Sequence, residues 1–233
     1  CLSGLVEDAP GPEEGARTVA LWLLEFGDPD GAVRWIEWIG EGASHLDHYI
    51  RSLAARESAD HAAWDGANLA SLPRRGGTGL GADVQLGLAA LTDRGSWGGS
   101  PIEGIQGLSA LPSDLRVVLV FPSSQTSVDV REPDGIVSAA QWIDSDDWSW
   151  RVVSAQGLLR PSSGPVQEAQ VSRALPGRYQ IKLRARRELR PVTVRVLIYT
   201  DWGSPGEERC QAKTYLIEDV DGELPAVDFT IGG

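Results

Sequence analysis

Two hydrophobic rhythms divide this chain. From about residue 18 to residue 91 apolar residues recur every three or four positions, the period of a helix with one buried face. Asp28-Pro29-Asp30 has the form of a helix start, with an Asp cap, a proline in the first turn and early negative charge. Ala32, Val33, Ile36 and Ile39 follow at helical spacing with Trp35 and Trp38, and Gly40 and Gly42 stop the run. Ser44 caps a second helix bearing Leu46, Tyr49, Ile50 and Leu53. The spacing predicts a third over Ser58–Leu72, carrying Ala62, Ala63, Trp64, Ala67 and Leu69, and a short fourth over Ala82–Leu91. Thr18–Phe26 fits either a buried strand or a first helix, and helix is preferred. The sum is a small α bundle or a repeat-like pair of helical hairpins.

Beyond residue 114 the period shortens to two. Leu115–Phe121 is almost continuously apolar, Ser127–Arg131 alternates, and Glu132-Pro133-Asp134-Gly135 turns the chain into Gly135–Trp142. Leu175-Pro176-Gly177 precedes Arg178–Arg184, where Tyr179, Ile181 and Leu183 point one way and basic residues the other. Thr193–Thr200, Gln211–Ile217 and Ala226–Ile231 complete the series, separated by turns at Asp201–Gly206 and Asp221-Gly222. Short strands at this spacing with no helix between them predict an antiparallel β-sandwich. The expected fold class is therefore α+β by segregation: a 1–15 tether, a helical domain over 16–94, a linker over 95–113 and a β-sandwich over 114–233.

Composition sharpens this division. Residues 1–114 hold 7 Arg and Lys against 17 Asp and Glu, whereas residues 115–233 hold 14 against 16. The whole chain of 233 residues carries a formal charge of −12, which opposes a phosphate-binding surface and excludes nucleic acid as an expected partner. The longest apolar run, Val19–Leu24, is too short to span a bilayer.

Several residues of the β half carry a family resemblance. Leu115–Phe121, then Val128-Asp129-Val130 with Glu132-Pro133-Asp134-Gly135, then Leu175-Pro176-Gly177-Arg178-Tyr179, then Val194–Tyr199 leading to Trp202-Gly203-Ser204-Pro205-Gly206-Glu207-Glu208, occur in this order. The order resembles YfaP-like domains, bacterial β-sandwiches of unassigned function often joined to von Willebrand A-type or other secreted modules. It covers about Asp114–Ile231 and implies a sandwich in a secreted or envelope protein. The family pattern has a Trp-Asp near the end of the first strand and an Asp-Val-Asp-Leu run in the second. Here Phe121-Pro122 and Ser127-Val128-Asp129-Val130 stand in those places, so one acidic residue of the usual pair is missing.

Candidate chemistry is sparse. Cys1-Leu2-Ser3-Gly4, followed by the Pro/Gly/Glu stretch Glu7–Gly15, is similar to the mature start of a bacterial lipoprotein, which points to a lipid on Cys1; the competing reading is an arbitrary cut. Cys210, the only other cysteine, reads as a small buried residue. His45 and His48 share a helical face with Asp47 beside them, and His61 on the next helix supplies a third nitrogen for a zinc site; interhelical polar packing is the competing reading. No Gly-x-Ser-x-Gly elbow occurs, and Arg75-Gly76-Gly77-Thr78-Gly79-Leu80-Gly81 lacks the Lys-Ser/Thr of a phosphate loop. Asp144, Asp146 and Asp147 lie among Trp142, Trp148 and Trp150, a cluster suited to calcium or to stacking on a sugar ring, or else to a solvated hairpin tip. Arg178, Lys182, Arg184 and Arg186 share a strand face and form a candidate interface for an acidic partner, either the first segment or another subunit.

These readings converge on a non-enzymatic protein of the cell envelope, an outer-membrane lipoprotein facing the periplasm or the cell surface. It is expected to act through contacts with other subunits of a surface assembly, to meet the membrane through Cys1 and to need no cofactor. The alternatives are a glycan- or calcium-binding module using residues 142–150, and a secreted hydrolase or metalloenzyme using His45, His48 and His61.

Overall fold

The structure is a computed structural model, described over residues 11–40, 43–72, 90–91, 93–94, 97–100, 102, 113–120, 126–131, 133, 137–139, 151–154, 157–160, 166–171, 174–185, 192–204, 208–217 and 223–232. Helices α1 (Pro12–Glu25), α2 (Pro29–Trp38), α3 (His45–Glu57) and α4 (His61–Ser71) come first. Strands β1 (Ser113–Val120), β2 (Thr126–Arg131), β3 (Val137–Ala139), β4 (Arg151–Ser154), β5 (Gly157–Arg160), β6 (Val166–Val171), β7 (Gly177–Ala185), β8 (Val192–Trp202), β9 (Arg209–Ile217) and β10 (Glu223–Ile231) follow. The chain is α+β, with its helices N-terminal and all its strand pairings antiparallel among the described residues.

The helix starts follow from their sequences. Asp28 accepts the Gly31 N–H at 2.8 Å ahead of Pro29, as the Asp-Pro-Asp pattern requires. Ser44 and Asp47 form a reciprocal capping box, the Ser44 N–H donating to Asp47 Oδ2 at 2.6 Å. Two boundaries differ from expectation. The ambiguous segment is helical but begins at Pro12, so part of the expected tether forms its first turn, where Glu13 and Glu14 complement the helix dipole. The third helix starts at His61 rather than Ser58, because Ala59 takes a left-handed φ of 55° and Asp60 becomes the cap. Of the short fourth helix expected over Ala82–Leu91, only Ala90 and Leu91 are described, and both are helical.

One sheet has six strands in the order β4-β5-β6-β1-β8-β9, and the other has four in the order β10-β7-β2-β3. Strands β4, β5 and β6 were not anticipated, yet β6 lies directly beside β1 with Val118 opposite Glu168. At the start of β7, Gly177 has φ 141°, and a Cβ there would come within 2.8 Å of the Pro133 side chain; glycine is needed at this turn.

Strand β1 is buried on both faces except at Asp114. Its even positions Val118 and Val120 join Val166, Leu197, Tyr199 and Trp202 in one core with Leu21, Ile36, Tyr49, Ile50 and Leu53 of the helices. The helices therefore cover one face of the six-stranded sheet. Among the described residues, helices and strands thus contribute to one shared core.

A shared core predicts cooperative unfolding. Ile36→Ala, which empties a wholly buried position on α2, should cost about 2–5 kcal/mol. Helical ellipticity and tryptophan fluorescence should shift to the same lower denaturant midpoint in one transition, and separated midpoints would contradict a common core.

Candidate functional site at the helix–sheet seam

The chemistry-bearing side chains of the described residues gather where the helices meet the six-stranded sheet. Antiparallel register puts Arg116 (β1), Glu168 (β6) and Arg195 (β8) on the helix-facing side of that sheet, beside Val118, Val120 and Leu197. Both arginines are buried. An arginine cannot shed its proton in a protein, so each of these positions demands acceptors within reach.

Arg116 donates from Nε to Glu168 Oε1 at 2.7 Å and from Nη1 to Asp93 Oδ1 at 2.7 Å. Its guanidinium also lies 4.1 Å from the Trp202 ring centre and 5.4 Å from that of Tyr199. Burial alone would lower its pKa; the Glu168 and Asp93 carboxylates outweigh that and hold it well above the ordinary guanidinium value. The same low-polarity setting, with Asp93 adjacent, raises the Tyr49 phenol well above its usual range.

Arg195 ties α1 and α3 to β8 and β9. It donates to Glu57 and to Thr214 Oγ1, the latter at 3.1 Å, and Glu25 lies 3.5 Å away. Thr214 passes the link on, donating from Oγ1 to the Leu21 carbonyl at 3.2 Å. Burial raises the Glu57 carboxyl despite the facing Arg195.

A third cation, Arg56 of α3, pairs with Glu208 and sits among rings: its guanidinium is 4.9 Å from the centres of Trp97 and Tyr199 and 5.7 Å from Trp202. Trp97 stacks on His61 at 5.8 Å and tilts against Trp64 at 5.3 Å. Arg94 completes the belt by pairing with Asp65 at 2.9 Å and donating to Asn68 Oδ1 at 3.2 Å, which binds it to α4. Among the described residues, then, cations, carboxylates and aromatic rings form a continuous band that locks helices to strands.

The expected histidine site takes another form. His45 Nδ1 lies 3.3 Å from the Ala70 carbonyl, and His61 Nε2 lies 2.7 Å from that of Trp97. Asp47 is committed to its capping box and to a two-pronged pair with Arg17 at 2.6 and 2.9 Å. No three His, Cys, Asp or Glu side chains come together as metal ligands among the described residues. Polar packing, the competing reading, describes His45 and His61.

Cys210, expected to be buried, lies exposed on β9 opposite Tyr199. Desolvation nonetheless pushes its thiol up, against the pull of Arg56. Cys1, the cluster Trp142, Asp144, Asp146, Asp147 and Trp148, and Arg186 lie outside the described residues. Arg178 is described: it is exposed and pairs with Asp228 of β10 at 2.6 Å. Register sets Lys182 opposite Asp129 and Arg184 opposite Glu223, so acidic residues of the same sheet stand beside three positions of the basic strand face. Among the described residues, the strand arginines that reach carboxylates of the N-terminal half are Arg116 and Arg195. Their signal in the sequence was a single arginine inside an apolar strand, Leu115-Arg116-Val117-Val118 and Val194-Arg195-Val196.

No helix among the described residues is long and apolar enough to cross a membrane. No protein-family model, curated protein or solved structure matches the chain.

Two measurements test the seam. Arg116→Ala leaves Asp93 and Glu168 facing each other without their shared cation and should cost about 3–5 kcal/mol in denaturant unfolding. Asp47 gives a pH signature. Burial alone would raise its pKa, but the hydrogen bonds from Arg17 and Ser44 pull it below the usual Asp value. A lowered folded-state pKa means stability present above the ordinary Asp range and lost as pH falls through it. The stability gap between the native protein and Asp47→Asn should therefore hold steady near neutrality and close below about pH 4.

Proposed function

We propose that this protein is a non-enzymatic component of the bacterial cell envelope that works by contact with other proteins, held to the membrane through a lipid on Cys1. In this reading it is a subunit or accessory of a surface assembly, and its sheets stack as a YfaP-like sandwich with the helices packed outside. One observation carries the reading: the ionisable and aromatic side chains that meet at the helix–sheet seam are engaged with one another. Arg116 holds Asp93 and Glu168, Arg195 holds Glu57, and Arg56 holds Glu208. Such pairs give rigidity and a fixed surface, the properties of a contact module. The stacked arrangement is supported by β1 and β8, whose Leu115, Val117, Leu119, Val194, Val196 and Ile198, on the face away from the helices, are buried too.

The experiment is fractionation of expressing bacteria with intact-mass measurement. The protein should sediment with the envelope at a mass above its 25.0 kDa polypeptide by a diacylglyceryl group. Cys1→Ala should leave the precursor uncleaved and without the lipid mass, and an unmodified Cys1 in native material would end the lipoprotein reading.

A further inference from the structure

Four strands end the two sheets, and three of them are blunted. Strand β10 carries Pro225 and a register shift beside it, β3 has three residues, and β4 has four with a register shift. Strand β9 is different: it is nine residues long, contains no proline and keeps an unbroken register with β8. Residues 209–213 of β9 are all exposed.

The direction of its free hydrogen-bonding groups is fixed by one contact. The Thr214 N–H donates to Glu25 Oε2 at 2.8 Å, so it points away from β8 to a carboxylate of α1. In an antiparallel pair outward groups recur every second residue, which makes the Ala212 and Cys210 N–H groups outward as well. Glu25 thus closes the edge at Thr214 and, among the described residues, leaves an open, exposed stretch of five residues, 209–213, spanning about 17 Å. On the face away from the helices this stretch presents Arg209, Gln211 and Lys213, with the Lys213 ammonium 5.2 Å from the Tyr215 ring centre.

We infer that the open edge of β9, from Arg209 to Lys213, accepts an extended acidic segment of a partner protein by strand addition. Main-chain hydrogen bonds to Ala212 and Cys210 would supply affinity, and Arg209 and Lys213 would select alternate acidic side chains. A second copy of this chain is disfavoured, because pairing β9 with itself about Gln211 sets Arg209 against Lys213. The inference rests on the protein-contact reading above and names its surface.

The test uses the full chain and a blocked peptide of alternating Glu and Val, about seven residues long, with its Lys/Val counterpart as control. Amide hydrogen exchange should show slowed exchange at Ala212 and Cys210 with the Glu peptide, and binding that weakens with added salt. Ala212→Pro removes an outward donor while sparing the β8 ladder, and should weaken binding at least tenfold with unfolding unchanged. Should that variant unfold, the double change Arg209→Glu and Lys213→Glu keeps the test, since it should transfer preference to the Lys peptide. No protection at millimolar Glu peptide means that Arg209 and Lys213 serve only to repel other edges, which overturns the inference. Equal protection by both peptides, or protection by protein concentration alone, overturns it too. Failure here leaves the lipid and envelope measurements standing, and their failure leaves this edge measurement intact.

Discussion

A guanidinium that cannot be neutralised, placed inside a sheet, dictates much of this architecture. Arg116 is buried between Glu168 of the neighbouring strand and Asp93 from the chain that leads out of the helices. Without both carboxylates the charge would cost several kcal/mol to bury. The sheet alone offers one of them. The second arrives only if Asp93 lies against β1, and Asn68 holds its neighbours Ala90 and Arg94 to α4. The helices and the sheet are thus coupled by charge as well as by apolar area, and the polar link specifies which helix segment faces which strand.

The same logic repeats at Arg195, with a different geometry. Its partners come from α1 and α3 at once, through Leu21, Glu25 and Glu57, so one side chain reports on the placement of two helices. Apolar packing of Leu21, Ile50 and Leu53 on Val118 and Leu197 supplies the bulk of the attraction. That attraction is tolerant of sliding, whereas the fixed fork of an arginine is not. Arg56, set among Trp97, Tyr199 and Trp202, adds a third fixed point along the seam.

Local signals in the sequence were read most faithfully where the physics is local. The Asp28 and Ser44 caps and the Gly177 turn lie where their residue types indicate, because each depends on neighbours within a few positions. Strand β6 was missed because Val166-Gln167-Glu168-Ala169-Gln170-Val171 has little apolar content; it is a strand by virtue of lying beside β1, with Glu168 answering Arg116. The histidines illustrate the converse. His45 and His48 do share a helix, yet Asp47 between them is drawn to Arg17, a residue 30 positions away that no spacing rule connects to it. Likewise the charge contrast between the halves was visible, but the pairs that join helix to sheet, Arg116 with Asp93 and Arg195 with Glu57, connect residues far apart in the chain that no spacing rule links. Spacing tells which residues share a face; it does not tell which face another element covers.

Burying the charges of the seam has a consequence for the outside of the sheet. Glu25 is engaged twice, near Arg195 and as acceptor for Thr214, so the helix layer reaches the last strand and stops there. Past Thr214 the edge is exposed as far as Arg209, with Ala212 and Cys210 opposite Leu197 and Tyr199 and Arg56 of α3 meeting Glu208 just beyond it. Those two residues of β8 are buried and rigidly seated, by the core and by the Arg56 and Trp202 rings-and-cation contacts. An edge backed by such a strand is held in extended form before anything binds, which lowers the ordering cost of adding another strand. The rigid interior and the open edge are therefore two results of one arrangement: the arginines fix the helices over the centre of the sheet, and the sheet outruns them on one side.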